Sequence, residues 1–212
     1  MVESVAGTPA GFLVDASSEA ELVVVGRRRQ SVVGEAFSGS TSSQVAAHAS
    51  CPVVIVDHEF DVSPDAPIVV AVDGSSANDP AVGFAFERAA ALHASVTAVH
   101  SWWVDVPQTF EAPWLDDDKV AEVETHHRGL LDAALAGWTA KYPEVPVRTV
   151  LRRSLPVEVV LSEAEGAQLI VVGSRGHGGF FGLLLGSVSQ GLLHRQRPCP
   201  LAVVHSAQEA TS

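Results

Sequence analysis

Gln168-Leu169-Ile170-Val171-Val172 runs directly into Gly173-Ser174-Arg175-Gly176, and after nine further residues comes Gly186-Ser187. A continuous apolar run that empties into a glycine loop closing on a helix start is the layout of an anion-binding site. Free backbone N–H groups at the helix end point at the ligand, and the positive end of the helix dipole favours negative charge. Shifted back by 147 residues, the frame falls on Gly26, Arg29 and Gly39-Ser40, behind Glu21-Leu22-Val23-Val24-Val25. One loop keeps its glycines, and the other has arginine in place of the second.

The same offset pairs Pro9 with Pro156, Ala20 with Ala167, Leu22 with Leu169 and Arg28 with Arg175, so the chain contains an internal repeat. Past Ser40 the second copy carries one extra residue, which aligns Cys51-Pro52 with Cys199-Pro200 ahead of the short apolar runs 53–56 and 201–204. The chain therefore reads as one and a half units. Residues 1–60 match only the second half of the complete unit, 66–206, and 207–212 form a tail.

At 212 residues and 47% hydrophobic composition the chain can bury a core, and no run of eighteen apolar residues predicts a membrane span. Met1-Val2-Glu3-Ser4 opens neither a basic nor a long apolar segment, which argues against a secretory signal and makes cytoplasm the expected compartment. Cys51 and Cys199 sit at equivalent strand entries, where a small buried apolar residue fits better than a disulfide partner. A formal charge of −12 repels a phosphate backbone and argues against nucleic acid as partner. Small polyphosphates are different, because a glycine loop and helix end can hold them locally.

Within the complete unit, the apolar run 68–72 ends at Asp73-Gly74-Ser75-Ser76, whose oxygens can cap a helix over 79–93. A second strand, 96–99, ends at His100-Ser101. Residues 102–115 form a loop, and Asp116-Asp117-Asp118 supply negative charge at the start of a helix over 119–141. Strands at 147–151, 169–172 and 201–204 alternate with helices from Pro156 to about 165 and over 188–195. Short valine-rich strands alternating with helices predict a parallel sheet covered on both faces. In such open sheets the ligand sits outside the carboxyl ends of the strands. Asp73, Ser101 and Gly173 all lie there, so one crevice can collect them.

On these motifs the complete unit resembles a universal stress protein domain of the adenine-nucleotide-binding kind, over essentially all of 66–206. The resemblance implies an α/β fold with an open five-stranded parallel sheet of order 3-2-1-4-5 and helices on both faces. It places the base at Ala71, Val72 and Asp73, a second-strand contact at Ser101, and ribose and phosphates at Gly173, Gly176, Gly186, Ser187, Val188 and Ser189. Arg175 and His177 either reach phosphate or project into solvent. Family members often carry proline at the position of Ala71 and an aliphatic residue at that of Ser101; contacts made through the backbone survive both changes. The implied ligand is ATP, with or without Mg2+, and the implied role is a regulatory module of the stress response. A pairing module that binds no nucleotide, and a slow ATP hydrolase, are the alternatives. The resemblance also pairs fifth strands, so that 53–56 would lie antiparallel to 201–204 and extend the sheet to seven strands. Residues 22–25 then form an edge, covered by another chain in a homo-oligomer or belonging to a truncated tandem protein.

The residues support the site independently. Gly173 and Gly176 allow torsions and close approaches that a Cβ blocks, and Ser187 and Ser189 offer hydroxyls at a helix start. Asp73 can accept from an exocyclic amine, or serve only as a cap, and the loop itself can be a ligand-free turn. No G-x-x-x-x-G-K-[ST] or H-E-x-x-H occurs, and 176–181 breaks the dinucleotide fingerprint at its last glycine. His126 and His127 are adjacent on a predicted helix, about 100° apart, and read with Glu122, Glu124 and Arg128 as a solvated face. Trp102, Trp103 and Trp114 read as cover for core or partner surface rather than as stacking partners for a base. A hydrolase needs a base or water-positioning group near the γ-phosphate as well as charge stabilisation, and the loop offers mainly glycines, serines and one histidine, so little or no turnover is expected. The half unit has no counterpart of Asp73 or Ser101, and Arg29 crowds its loop. One nucleotide site per chain is expected.

Overall fold

A computed structural model describes residues 7–26, 40–57, 60, 62–63, 65–103, 117–176 and 184–206. In chain order the elements are α1 (Pro9–Ala16), β1 (Val23–Gly26), α2 (Ser40–His48), β2 (Val53–Val56), β3 (Ile68–Ala71), α3 (Asp79–Leu92), β4 (Val96–Trp102), α4 (Asp117–Lys141), β5 (Val147–Arg153), α5 (Pro156–Glu163), β6 (Leu169–Gly173), α6 (Ser187–His194) and β7 (Leu201–Val204). Valine dominates the strands because its branched Cβ packs well on a pleated surface. Proline opens α1, α3 and α5 in the first turn, where a missing N–H costs nothing. His93 ends α3 in the left-handed region at φ 53°, its N–H returned to Ala89 and Ala90.

The strands form one sheet of order β1-β2-β7-β6-β3-β4-β5. Within the complete unit, β5-β4-β3-β6-β7 is the expected 3-2-1-4-5 order, all parallel. The half repeat joins through β2, which lies antiparallel to β7 with Val53 opposite Val203, Val54 opposite Ala202 and Ile55 opposite Leu201. Parallel pairing of β1 with β2 completes the seven strands and leaves β1 at one edge.

Two apolar layers sandwich this sheet. One packs α1, α2, α5 and α6 on Val25, Ile55, Ile170, Leu201 and Val203. The other packs α3 and α4, through Phe86 and Leu131, on Ile68, Val70, Val96 and Val171. Helices thus cover both faces of the complete unit, but the described helices of the half repeat, α1 and α2, pack on one face only. Val24 on β1 is consequently 60% exposed. The opposite edge, β5, is protected by charge, with exposed Arg148 and Arg152 paired to Glu163 of α5. Cys51 and Cys199 are both buried free thiols, as expected from their strand entries. No described helix is long and apolar enough to cross a membrane.

Two element boundaries differ from expectation and matter for the site. β4 runs on to Trp102 because β5 continues to offer it partners, pairing Ser101 with Arg152 and Trp102 with Arg153. Ser76–Asn78 forms a short 3-10 turn ahead of α3, and no side chain caps α3 itself.

Candidate functional site

The end of β3 is held by a side chain from the turn that follows it. Asn78, 4% exposed, donates Nδ2–H to the Ala71 carbonyl at 3.2 Å and accepts from the Asp73 N–H on Oδ1 at 3.3 Å. Val72 donates its N–H to the Val99 carbonyl at 2.8 Å, and its own carbonyl accepts from His100 Nδ1 at 2.6 Å. The N–H groups of Val72 and Asp73 are therefore already committed, whereas the carbonyls of Ala71 and Val72 keep a second lone pair. A ligand at this point meets acceptors on the backbone.

Asp73 does not cap α3. Its Oδ1 accepts from the N–H and the hydroxyl of Ser75, both at 2.8 Å, closing a local turn. Its Oδ2 lies against Gly176, where an added Cβ would run into the carboxylate. The first-strand acid and the glycine loop, about a hundred residues apart in sequence, are thus in direct apposition.

The loop is tied at both ends. Ser174 N–H donates to the Val204 carbonyl at 2.7 Å, and Gly186 N–H donates to the Ser174 carbonyl at 2.7 Å. At Gly173 glycine is needed for proximity and not for torsion: a Cβ there would sit 2.8 Å from the Arg175 carbonyl oxygen, yet none of Gly173, Gly176 and Gly186 has a positive φ. The left-handed glycine of the cleft is Gly74, at φ 79°. Gly186 is unremarkable in this respect, since its Cβ would meet nothing closer than 3.5 Å. Ser189 also departs from expectation. It is 1% exposed, and its hydroxyl faces the carbonyls of Gly186 at 2.9 Å and Ser174 at 3.1 Å, so it braces the loop instead of offering its proton outward. Ser187, the first residue of α6, is exposed.

Between these loops lies a cavity of about 630 Å3 whose lining includes Ala71, Val72, Asp73, Ser101, Gly173, Arg175, Gly176, Gly186, Ser187, Val188 and Ser189. Every expected site residue except His177 is brought together; His177 lies outside the described residues. Val99, Leu130, Pro156, Val160, Val172 and Leu185 supply apolar wall. Asn78, His100, His126 and His127 complete it and were not anticipated as a group.

His127 corrects the expectation of a solvated helix face. Its ring stacks on buried Trp102 at 5.4 Å and 9°, and its Nδ1 lies 2.8 Å from Nε2 of His100. Burial, followed by the nearby His100 and His126, lowers its affinity for a proton. The signal was present in the sequence: His127, Leu131 and Leu135 recur at four-residue intervals, and the two leucines are buried. His126 is exposed, with its ring edge-on to His127. Glu122 with Lys119, and Glu124 with Arg128, do form exposed pairs on the solvated side. Trp102 is buried in the core; Trp103 is 58% exposed, and Trp114 lies outside the described residues. The damaged loop, Arg29 and Gly39 included, also lies outside them. Among the described residues no group of three His, Cys, Asp or Glu could hold a metal ion.

The model of the universal stress protein family matches residues 2–57 and 66–205. The chain belongs to the universal stress protein family. A universal stress protein of Mycobacterium tuberculosis is 38% identical over 198 residues, covering 92% of this chain and 65% of its own. One of Mycolicibacterium smegmatis is 41% identical over 189 residues, covering 88% and 61% respectively. This universal stress protein thus spans just under two thirds of the length of these relatives. The crystal structure of a universal stress protein from Archaeoglobus fulgidus superposes with a TM-score of 0.64 over 93% of this chain and 65% of that one, at 23% identity, a likeness of fold.

Proposed function

We propose that this universal stress protein binds one adenine nucleotide per chain, in the cleft at the carboxyl ends of β3, β4 and β6, and that occupancy regulates an interaction surface. The observation that carries this reading is the apposition of Asp73 and the Gly173–Gly176 turn across a single cavity that also reaches the start of α6. Its volume of about 630 Å3 lies within the range of small-molecule sites, about 300–1,000 Å3. Apolar walls at Val72, Val99, Leu130 and Val160 suit a base and ribose. The glycine turn, Arg175 and exposed Ser187 suit phosphates at a helix N-terminus. Asp73 and the spare lone pairs of the Ala71 and Val72 carbonyls favour a base that donates. A Mg2+ ion would ride mainly on phosphates and water, as this small hard cation commonly does. Turnover is expected to be slow or nil, so the nucleotide acts as signal more than substrate.

Calorimetric titration with ATP, ADP and AMP tests this. The intact protein is expected to bind, and Gly176→Arg, which copies the first loop's arginine, sets a long side chain against Asp73 and abolishes binding. No heat with the intact protein would leave the fold as a pairing module. Equal binding by the variant would remove the loop from the site.

A further inference from the structure

We infer that His127 reads the exocyclic group of the bound base, and that proton occupancy of the His100–His127 pair decides whether its Nε2 accepts or donates. This rests on the nucleotide reading of the cleft. The Val72 carbonyl can only accept, so its 2.6 Å contact fixes a proton on Nδ1 of His100. The 2.8 Å contact between His100 Nε2 and His127 Nδ1 holds one further proton between the rings.

A neutral pair carries two N–H protons in all. Both are then placed, and His127 Nε2 is left as an acceptor. With one extra proton the pair carries three, and the third has only His127 Nε2 to occupy, which makes that atom a donor. The outcome is the same whichever ring owns the shared proton. His127 lines the same cavity as Ser101, and Nε2 is its one ring nitrogen not engaged with His100.

The surroundings favour the neutral pair near neutral pH. Burial of His127 and its neighbours His100 and His126 disfavour the added charge. Arg153, with its guanidinium 5.6 Å from the Trp102 ring centroid, and Arg175 on the cavity wall oppose it further, while Asp73 across the cavity favours it. Glu124 and Arg128, on the same helix, compensate each other.

A 6-aminopurine presents N–H donors where a 6-oxopurine presents a carbonyl acceptor. The neutral pair therefore selects ATP over inosine triphosphate, and the protonated pair reverses the sign of that contact. Binding of the two nucleotides, compared at pH 8 and pH 5.5, is expected to show ATP preferred about tenfold at the higher pH, with the preference reduced at the lower. Phosphate titration is common to both ligands and cancels in the ratio. His127→Phe, which keeps a ring on Trp102, is expected to give one ratio at both pH values. A wild-type ratio that does not move with pH, or a variant that retains the dependence, would overturn the assignment.

Ring 15N resonances of the unliganded protein supply a second reading. Both histidines are expected as Nδ1–H tautomers at pH 8, with His127 Nε2 gaining its proton on acidification; a His127 Nε2–H tautomer at pH 8 would sink the inference with no nucleotide present. The expected tautomers with neither nucleotide bound would instead overturn the nucleotide reading and this inference with it.

Discussion

Gly173 and Gly186 look equivalent in the motif, yet the space around them differs. A methyl group on Gly173 would stand 2.8 Å from the Arg175 carbonyl oxygen, and that oxygen belongs to the backbone of the turn itself. On Gly186 it would meet ordinary contacts at 3.5 Å and beyond. Gly173→Ala is therefore expected to open the turn and weaken ATP binding by tenfold or more, whereas Gly186→Ala should stay within about twofold, an offset of under 1 kcal/mol. Parallel calorimetric titrations check this, and equal losses from both substitutions would contradict it. At this scale the sequence was informative about which residues gather around the cleft and poor about the contacts they make there. Asp73, Ser101 and the glycines were legible because loop spacing and strand ends are sequence patterns. Asn78, which clamps Ala71 and Asp73, was not, because an asparagine in a polar turn looks the same whether solvated or 4% exposed.

Among elements, α6 lines the cleft with its N-terminus and is anchored at the other end by Arg197. That side chain is fully buried, pairs with Asp57 just after β2 at 2.6 Å, and donates to the Leu192 carbonyl at 2.7 Å. The half repeat is thereby fastened to the helix that shapes the cleft. Asp57→Ala leaves a buried guanidinium without its carboxylate, which costs about 3–5 kcal/mol and lowers Tm by on the order of 10 °C. Replacing the pair together, Asp57→Leu with Arg197→Met, should recover much of that loss by thermal denaturation, since apolar replacement of a buried pair is often near neutral. A double variant no more stable than the single one would contradict this account of the pair. The strands were readable because continuous valine runs and the 147-residue repeat are strong periodic signals, whereas their order came only with the family resemblance. The Arg197 anchor was not, because an arginine following a helix ordinarily reads as a solvated cation near its C-terminus. Extension of β4 to Trp102 was hidden for a related reason: it depends on how far β5 runs beside it.

On the scale of the whole molecule, the half repeat ends the sheet asymmetrically. β1 has β2 on one side and no described strand on the other, and Val24 and Leu22 are 60% and 37% exposed. Such an edge is a template for another strand. The intact protein is expected to associate as concentration rises, and Val24→Lys to suppress this in sedimentation velocity while leaving Tm nearly unchanged. Identical sedimentation of the two proteins would show that the edge is not used. The same asymmetry underlies the functional reading, for the half repeat contributes a fourth and a fifth strand but no first or second, and therefore no counterpart of Asp73 or Ser101. Native mass spectrometry with saturating ATP tests that claim most directly. A single nucleotide added per 22.2 kDa chain, and none to Gly176→Arg, is the predicted result; two nucleotides per chain, or none on the intact protein, would contradict it.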